Sequence, residues 1–148
     1  MLSPFLQKLD FVHQFKMGNG SIGILGLKQI MLPSTLISEL GKKEEVYALA
    51  KKYSLDEVNT YMKKIDCSEG EKIKVLEQIY ETFGLGKLKI KIVDIGKKAL
   101  VEVVDNPLQG SNPLVRGVIA GVFSYLFKKD VNASIQSKKG NVCIYLVK

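Results

Sequence analysis

Two stretches decide the fold: Leu88-Lys89-Ile90-Lys91-Ile92, and the run Pro113-Leu114-Val115-Arg116-Gly117-Val118-Ile119-Ala120-Gly121-Val122-Phe123-Ser124-Tyr125-Leu126-Phe127. The first alternates apolar and charged residues, the period of a strand with one dry and one wet face. The second has helical length and is apolar nearly all round, so it must be covered on more than one side. A sheet covers one side. Other helices, a partner subunit or an apolar ligand must cover the rest.

Working outward, Lys87 to Asp94 and Lys98 to Asp105 read as strands joined at Ile95-Gly96-Lys97. Asn112 is placed to cap the apolar helix, with Pro113 at its first position, where proline is best tolerated. Val131 to Gln136 and Asn141 to Val147 read as closing strands, with the turn at Ser137 to Gly140. Upstream, Phe11 to Met17 and Ser21 to Leu25 flank Gly18-Asn19-Gly20, whose residues tolerate positive φ and predict a hairpin. Pro33-Ser34-Thr35 opens a helix that Gly41 ends or bends, and Lys42 to Tyr53 continues as helix. Ser54 with Glu57 reads as a capping box opening a new helix over Leu55 to Ile65. Glu71 to Phe83 places Ile73, Leu76, Ile79, Tyr80 and Phe83 on one stripe, and Gly84-Leu85-Gly86 stops it. The pattern predicts one α+β domain over residues 1–148, a mostly antiparallel sheet with helices packed on one face.

Composition narrows function. At 148 residues and 46% hydrophobic, the chain suffices for one domain with its own core. No apolar run reaches the roughly 18–20 residues of a membrane span, and the first residues do not read as a secretory signal, so the expected location is the cytosol. The net charge of +7 comes from scattered lysine pairs, such as Lys42-Lys43 and Lys138-Lys139, and Arg116 is the only arginine. Paired lysines near helix ends and turns suit a solvated surface, and base-reading proteins favour arginine, so nucleic acid is disfavoured as a partner.

Catalytic and metal motifs fail on inspection. His13 sits in Phe11-Val12-His13-Gln14-Phe15 with no marked catalytic partner. Gly18-Asn19-Gly20-Ser21-Ile22-Gly23 satisfies G-x-G-x-x-G but does not open a helix after a parallel strand, so it reads as a turn. Glu44-Glu45 and Asp56-Glu57 lie in predicted first turns, where they suit the helix dipole. Cys67 and Cys143 have neither zinc spacing nor a disulfide framework and read as thiols, although their pairing stays open. Gly117, Ala120 and Gly121 allow another backbone to come close, either in tight packing on the chain's own sheet or at a dimer seam or the wall of a ligand channel.

Four runs carry a resemblance: Phe83 to Ile90, Ala99 to Pro107, Gly117 to Phe123, and Lys139 to Tyr145. With Gly20 to Leu32, they resemble, in order and spacing, the 4-vinyl-reductase-type domain, described in archaeal members as predicted hydrocarbon-binding. The likeness covers roughly residues 20–147. It implies a fold shared with the TRAPP trafficking subunits, a homodimer, and a small hydrophobic ligand (lipid, hydrocarbon or aromatic) held without catalysis between sheet and helices. Stripe position on the helices and the dry face of the sheet select Ile79, Tyr80, Phe83, Ile90, Val101, Val103, Phe123 and Phe127 as the residues against which the resemblance places that ligand. Many members bind a metal through cysteines, one of them eight residues before the last. Here that position is Ile135, and Ser111-Asn112-Pro113 lacks another, so neither metal nor cofactor is expected. Vinyl reduction is not carried over, because no nucleotide or flavin motif supports it. The competing reading is a ligand-free scaffold subunit of TRAPP-like type. A sensor of this kind would need a separate output protein, since no helix-turn-helix or ATPase segment is recognisable.

Overall fold

The computed structural model describes residues 15–18, 21–94, 96–108 and 112–148. Strands β1 (Phe15–Gly18), β2 (Ser21–Ile24) and β3 (Leu27–Gln29) form a small antiparallel sheet in the order β1-β2-β3. The register Gly18↔Ser21 joins β1 to β2 through residues 19 and 20. The expected turn residues Asn19 and Gly20, and His13, lie outside the described residues. Sequence reading did not anticipate β3. Leu25 (φ 50) and Gly26 (φ 83) both adopt positive φ and turn the chain back tightly from β2.

Helices α1 (Ser34–Gly41), α2 (Glu45–Met62) and α3 (Lys72–Thr82) follow, with a 3-10 turn at Glu69–Glu71 before α3. Then come β4 (Lys87–Asp94), β5 (Lys98–Val104), α4 (Pro113–Phe127), β6 (Ala133–Lys139) and β7 (Val142–Val147). The main sheet has the order β4-β5-β7-β6, every neighbouring pair antiparallel. The architecture is the expected α+β fold.

Three local expectations need correction. Ser54 does not open a helix: α2 runs unbroken from Glu45 to Met62. The Ser54 hydroxyl instead donates back to the Lys51 carbonyl (3.2 Å) and lies 3.4 Å from the Val118 carbonyl of α4, so it is satisfied mid-helix. The capping box forms at Ser68, whose partner Glu71 returns a carboxylate oxygen to the Ser68 N–H at 2.9 Å. In β4 the alternation is broken by a bulge: Ile90 pairs with Val101 but Ile92 with Leu100, leaving Lys91 as the extra residue. Val93, opposite the buried Ala99, then packs on the core. A similar shift between Ile135 and Ser137 lets β6 run to Lys139, moving the last turn to Gly140 and Asn141.

The apolar helix is covered by its own chain. Asn112 caps α4 by accepting from the Leu114 N–H (3.0 Å), and its amide donates to the Ser38 carbonyl of α1 (3.1 Å). α4 packs against β6 and β7 and, most extensively, against α2. Gly117 and Gly121 form that second seam. A β-carbon on Gly117 would stand 2.5 Å from the Tyr47 carbonyl oxygen, and one on Gly121 2.5 Å from that of Lys51. At Gly117 and Gly121 the close neighbour is thus α2 of the same chain, where packing on the sheet was expected. Arg116, the residue before Gly117, binds Glu44 at 2.9 Å and lies over the Tyr47 ring. The lone arginine thus ties α4 to the start of α2.

Gly121→Val should cost about 3 kcal/mol, since the obstructing atoms include backbone that cannot rotate away. Urea denaturation would check this, and a loss within about 0.5 kcal/mol would contradict the seam.

Candidate functional site

α2 crosses α4 without covering its N-terminal turns completely, and α1, β2, β3 and the residues after α3 stand around the gap. They enclose a cleft of ≈ 670 Å³, within the roughly 300–1,000 Å³ of small-molecule sites. α4 contributes Leu114 and Val118, the turn after α3 contributes Phe83 and Leu85, and the loop after β5 contributes Pro107 and Leu108. Ile22 and Ile24 of β2 and Ile37 of α1 stand around the same space. The connection from β3 to α1, Ile30-Met31-Leu32, forms its lip. Ile30 and Met31 are 80% and 78% exposed, far more than isolated apolar side chains need be.

One polar cluster interrupts this apolar wall. Gln29 and Glu57 both line the cleft, with the buried Tyr61 beside them. Glu57 Oε1 accepts from the Tyr61 hydroxyl (2.6 Å) and from Gln29 Nε2 (2.5 Å), and Gln29 Nε2 also reaches the Tyr61 oxygen at 3.1 Å. Glu57 and Tyr61 share a face of α2 because they are one turn apart. Gln29 reaches them because the tight turn at Leu25-Gly26 lays β3 against that face. Burial, and then the bond to the neighbouring Glu57 carboxylate, push the Tyr61 hydroxyl far above the ordinary tyrosine range. Glu57 is the only Asp, Glu, Lys or Arg among the described residues lining the cleft.

Of the expected ligand residues, Phe83 lines this cleft. Ile79 and Tyr80 of α3, Val101 and Val103 of β5, and Phe123 and Phe127 of α4 lie in the buried core, with Ile90 of β4 packed on it. There Phe123 and Phe127 meet edge to face, 5.8 Å apart. The Tyr80 hydroxyl makes only a long contact, 3.5 Å, with the Leu85 carbonyl. Burial raises the Tyr80 and Tyr145 hydroxyls, with Cys143 nearby adding to both. Cys67 and Cys143 are both free. Among the described residues no three potential metal ligands cluster. Sequence reading missed Gln29, Glu57 and Tyr61; reading α2 as one helix would have aligned the last two.

A second hollow of ≈ 370 Å³ lies between Leu55, Asn59, Glu69, Lys72, Tyr125 and Lys128. Its facing charges Glu69 and Lys72 already pair with each other, which lowers the acid's pKa and raises the amine's. Charged and polar side chains make up much of its lining, whereas the larger cleft is walled mainly by apolar ones.

The fold matches known structures. The chain is similar to the phenol-responsive sensory domain of the transcription activator PoxR, solved with phenol, with a TM-score of 0.73 and 14% identity over 99% of this chain and 90% of that one. It is also similar to a vinyl-4-reductase family protein from Methanocaldococcus jannaschii, with a TM-score of 0.55 and 15% identity over 81% and 83% of the two chains. No protein-family model and no curated protein matches. The fold expected from the resemblance to the 4-vinyl-reductase-type domain is thus the fold found. Among the described residues no helix is long and apolar enough to cross a membrane.

The buried tyrosines give a pH dependence of known sign. Folding holds Tyr61, Tyr80 and Tyr145 protonated, whereas an unfolded tyrosine ionises near pH 10. Their contribution is intact below about pH 10 and is lost as pH rises beyond it. Stability measured in urea should fall steeply above that pH, and less steeply in Tyr80→Phe. Equal slopes in the two proteins would refute the assignment.

Proposed function

We propose that this protein is a single ligand-binding domain that holds a small hydrophobic molecule, non-catalytically, in the cleft between α4, α2 and the β3–α1 lip. The observation that carries the reading is the cleft itself, an apolar space of ligand size edged by Ile30 and Met31, which water covers at a cost. A bound apolar molecule would bury that lip. The fold of the PoxR sensory domain, solved with phenol, supports a sensing role. In this reading Phe83 touches the ligand together with Leu85, Leu108, Leu114 and Val118. The remaining expected residues (Ile79, Tyr80, Ile90, Val101, Val103, Phe123 and Phe127) act as the packed layer behind.

Native mass spectrometry of the purified protein, followed by thermal melting with added aromatic and aliphatic compounds, tests the reading. A ligand at a hundred times its Kd should raise the melting temperature by roughly 5–10 °C. Leu114→Trp should fill the cleft and abolish that rise while leaving the unliganded melting temperature within a few degrees. A chain with no copurifying molecule and no melting response to any compound would overturn the proposal.

A second copy of the chain is supported by exposed apolar side chains on α1 and α2, of which Tyr53 also lines the cleft. Leu36 and Leu40 of α1, and Leu49 and Tyr53 of α2, are exposed apolar pairs at helical spacing. We assign the homodimer contact to this face, since α2 already occupies the Gly117 and Gly121 seam. Light scattering should report a dimer that Leu49→Glu converts to monomer; a monomeric parent protein would refute it.

A further inference from the structure

Resting on the ligand-binding reading above, we infer that the cleft selects an apolar molecule carrying one hydrogen-bond-donating head, a hydroxyl or an ammonium, and rejects carboxylates. The selection comes from Glu57. Its Oε1 already accepts from Tyr61 and Gln29, while Oε2 has no protein partner among the described residues. The amide oxygen of Gln29 likewise has none. Both acceptors belong to residues that line the apolar cleft and are joined to each other by a hydrogen bond.

Their donors are already committed. The Tyr61 proton goes to Glu57, and Gln29 Nε2 is shared between Glu57 and Tyr61. The Ser54 hydroxyl donates to backbone carbonyls. Among the described residues no lysine or arginine pairs with Glu57, and Lys64, just past the end of α2, gives its ammonium to the Leu25 carbonyl. A donor head entering the cleft meets a ready charged acceptor. An ether or hydrocarbon of the same shape leaves that acceptor unused, and a carboxylate meets like charge. In a chain of net charge +7, this local negative charge runs against what bulk electrostatics would favour.

Calorimetric titration of the full chain with para-ethylphenol, para-ethylbenzylamine, para-ethylanisole and para-ethylbenzoate tests this. The phenol or the amine should bind about tenfold or more tighter than the anisole, which matches the phenol in shape but lacks the donor, and the benzoate should bind weakest. Whichever donor binds tighter identifies the head as hydroxyl or ammonium. Glu57→Gln, which keeps an acceptor but removes the charge, should narrow the gap between phenol and benzoate by about tenfold. Circular dichroism verifies that this variant is folded, and the parent-protein series stands independently of it. Equal affinities across phenol, anisole and benzoate would overturn this inference and leave hydrophobic binding intact. An unchanged gap in folded Glu57→Gln would overturn the role of Glu57. Binding of none of the four would overturn this inference, and the cleft as a ligand site would then rest on the mass spectrometry alone.

Discussion

The approach of α2 to α4 is the constraint on which the rest of the structure depends. Gly117 and Gly121 present bare backbone, and the carbonyls of Tyr47 and Lys51 sit where β-carbons would otherwise be. That contact places the sheet on one side of α4 and a second helix on the other, which is why α4 tolerates almost no polar residue. Ser54 fits into the same seam, its hydroxyl within reach of a carbonyl on each helix. Glu44 and Arg116 close its outer end with an ion pair.

The cleft follows from where this seam stops. α1 and the β3–α1 connection complete the enclosure beside the N-terminal turns of α4, with apolar side chains that nothing else in the described chain covers. The face of α2 turned toward that space carries Glu57 and Tyr61, and the small sheet brings Gln29 to them. An apolar wall supplies affinity with little directionality, whereas the few polar atoms determine which end of a ligand is accepted. The protein's overall basic charge has no part in this arrangement; its one arginine is used internally.

The legible parts of the sequence were those set by short-range rules. Asn112 and Pro113 marked the start of α4, and the glycines after α3 its stop, because capping and positive φ depend on a few neighbouring residues. The strands of the main sheet were read from alternation, up to the bulge at Lys91, which pairing with β5 imposes and no local pattern announces. Ser54 was misread for a related reason. Its side chain suits a cap in isolation, but inside the helix its hydroxyl turns back to the Lys51 carbonyl and faces α4. The stripe Ile79, Tyr80, Phe83 and its counterparts on α4 and β5 were recognisably buried surface. Whether buried surface becomes packed core or cavity wall depends on what faces it.

The sequence by itself determined that the chain forms an α+β fold with a mostly antiparallel sheet, that α4 must be enclosed, and that Gly117 and Gly121 admit a close neighbour. Hydrophobic periodicity and backbone permissiveness are properties of each segment alone. The tertiary structure decided that the neighbour is α2, that the enclosure leaves a cleft beside Leu114 and Val118, and that Gln29, Glu57 and Tyr61 meet there. Those outcomes depend on contacts between residues far apart in the chain, whose geometry is set only when several elements pack at once.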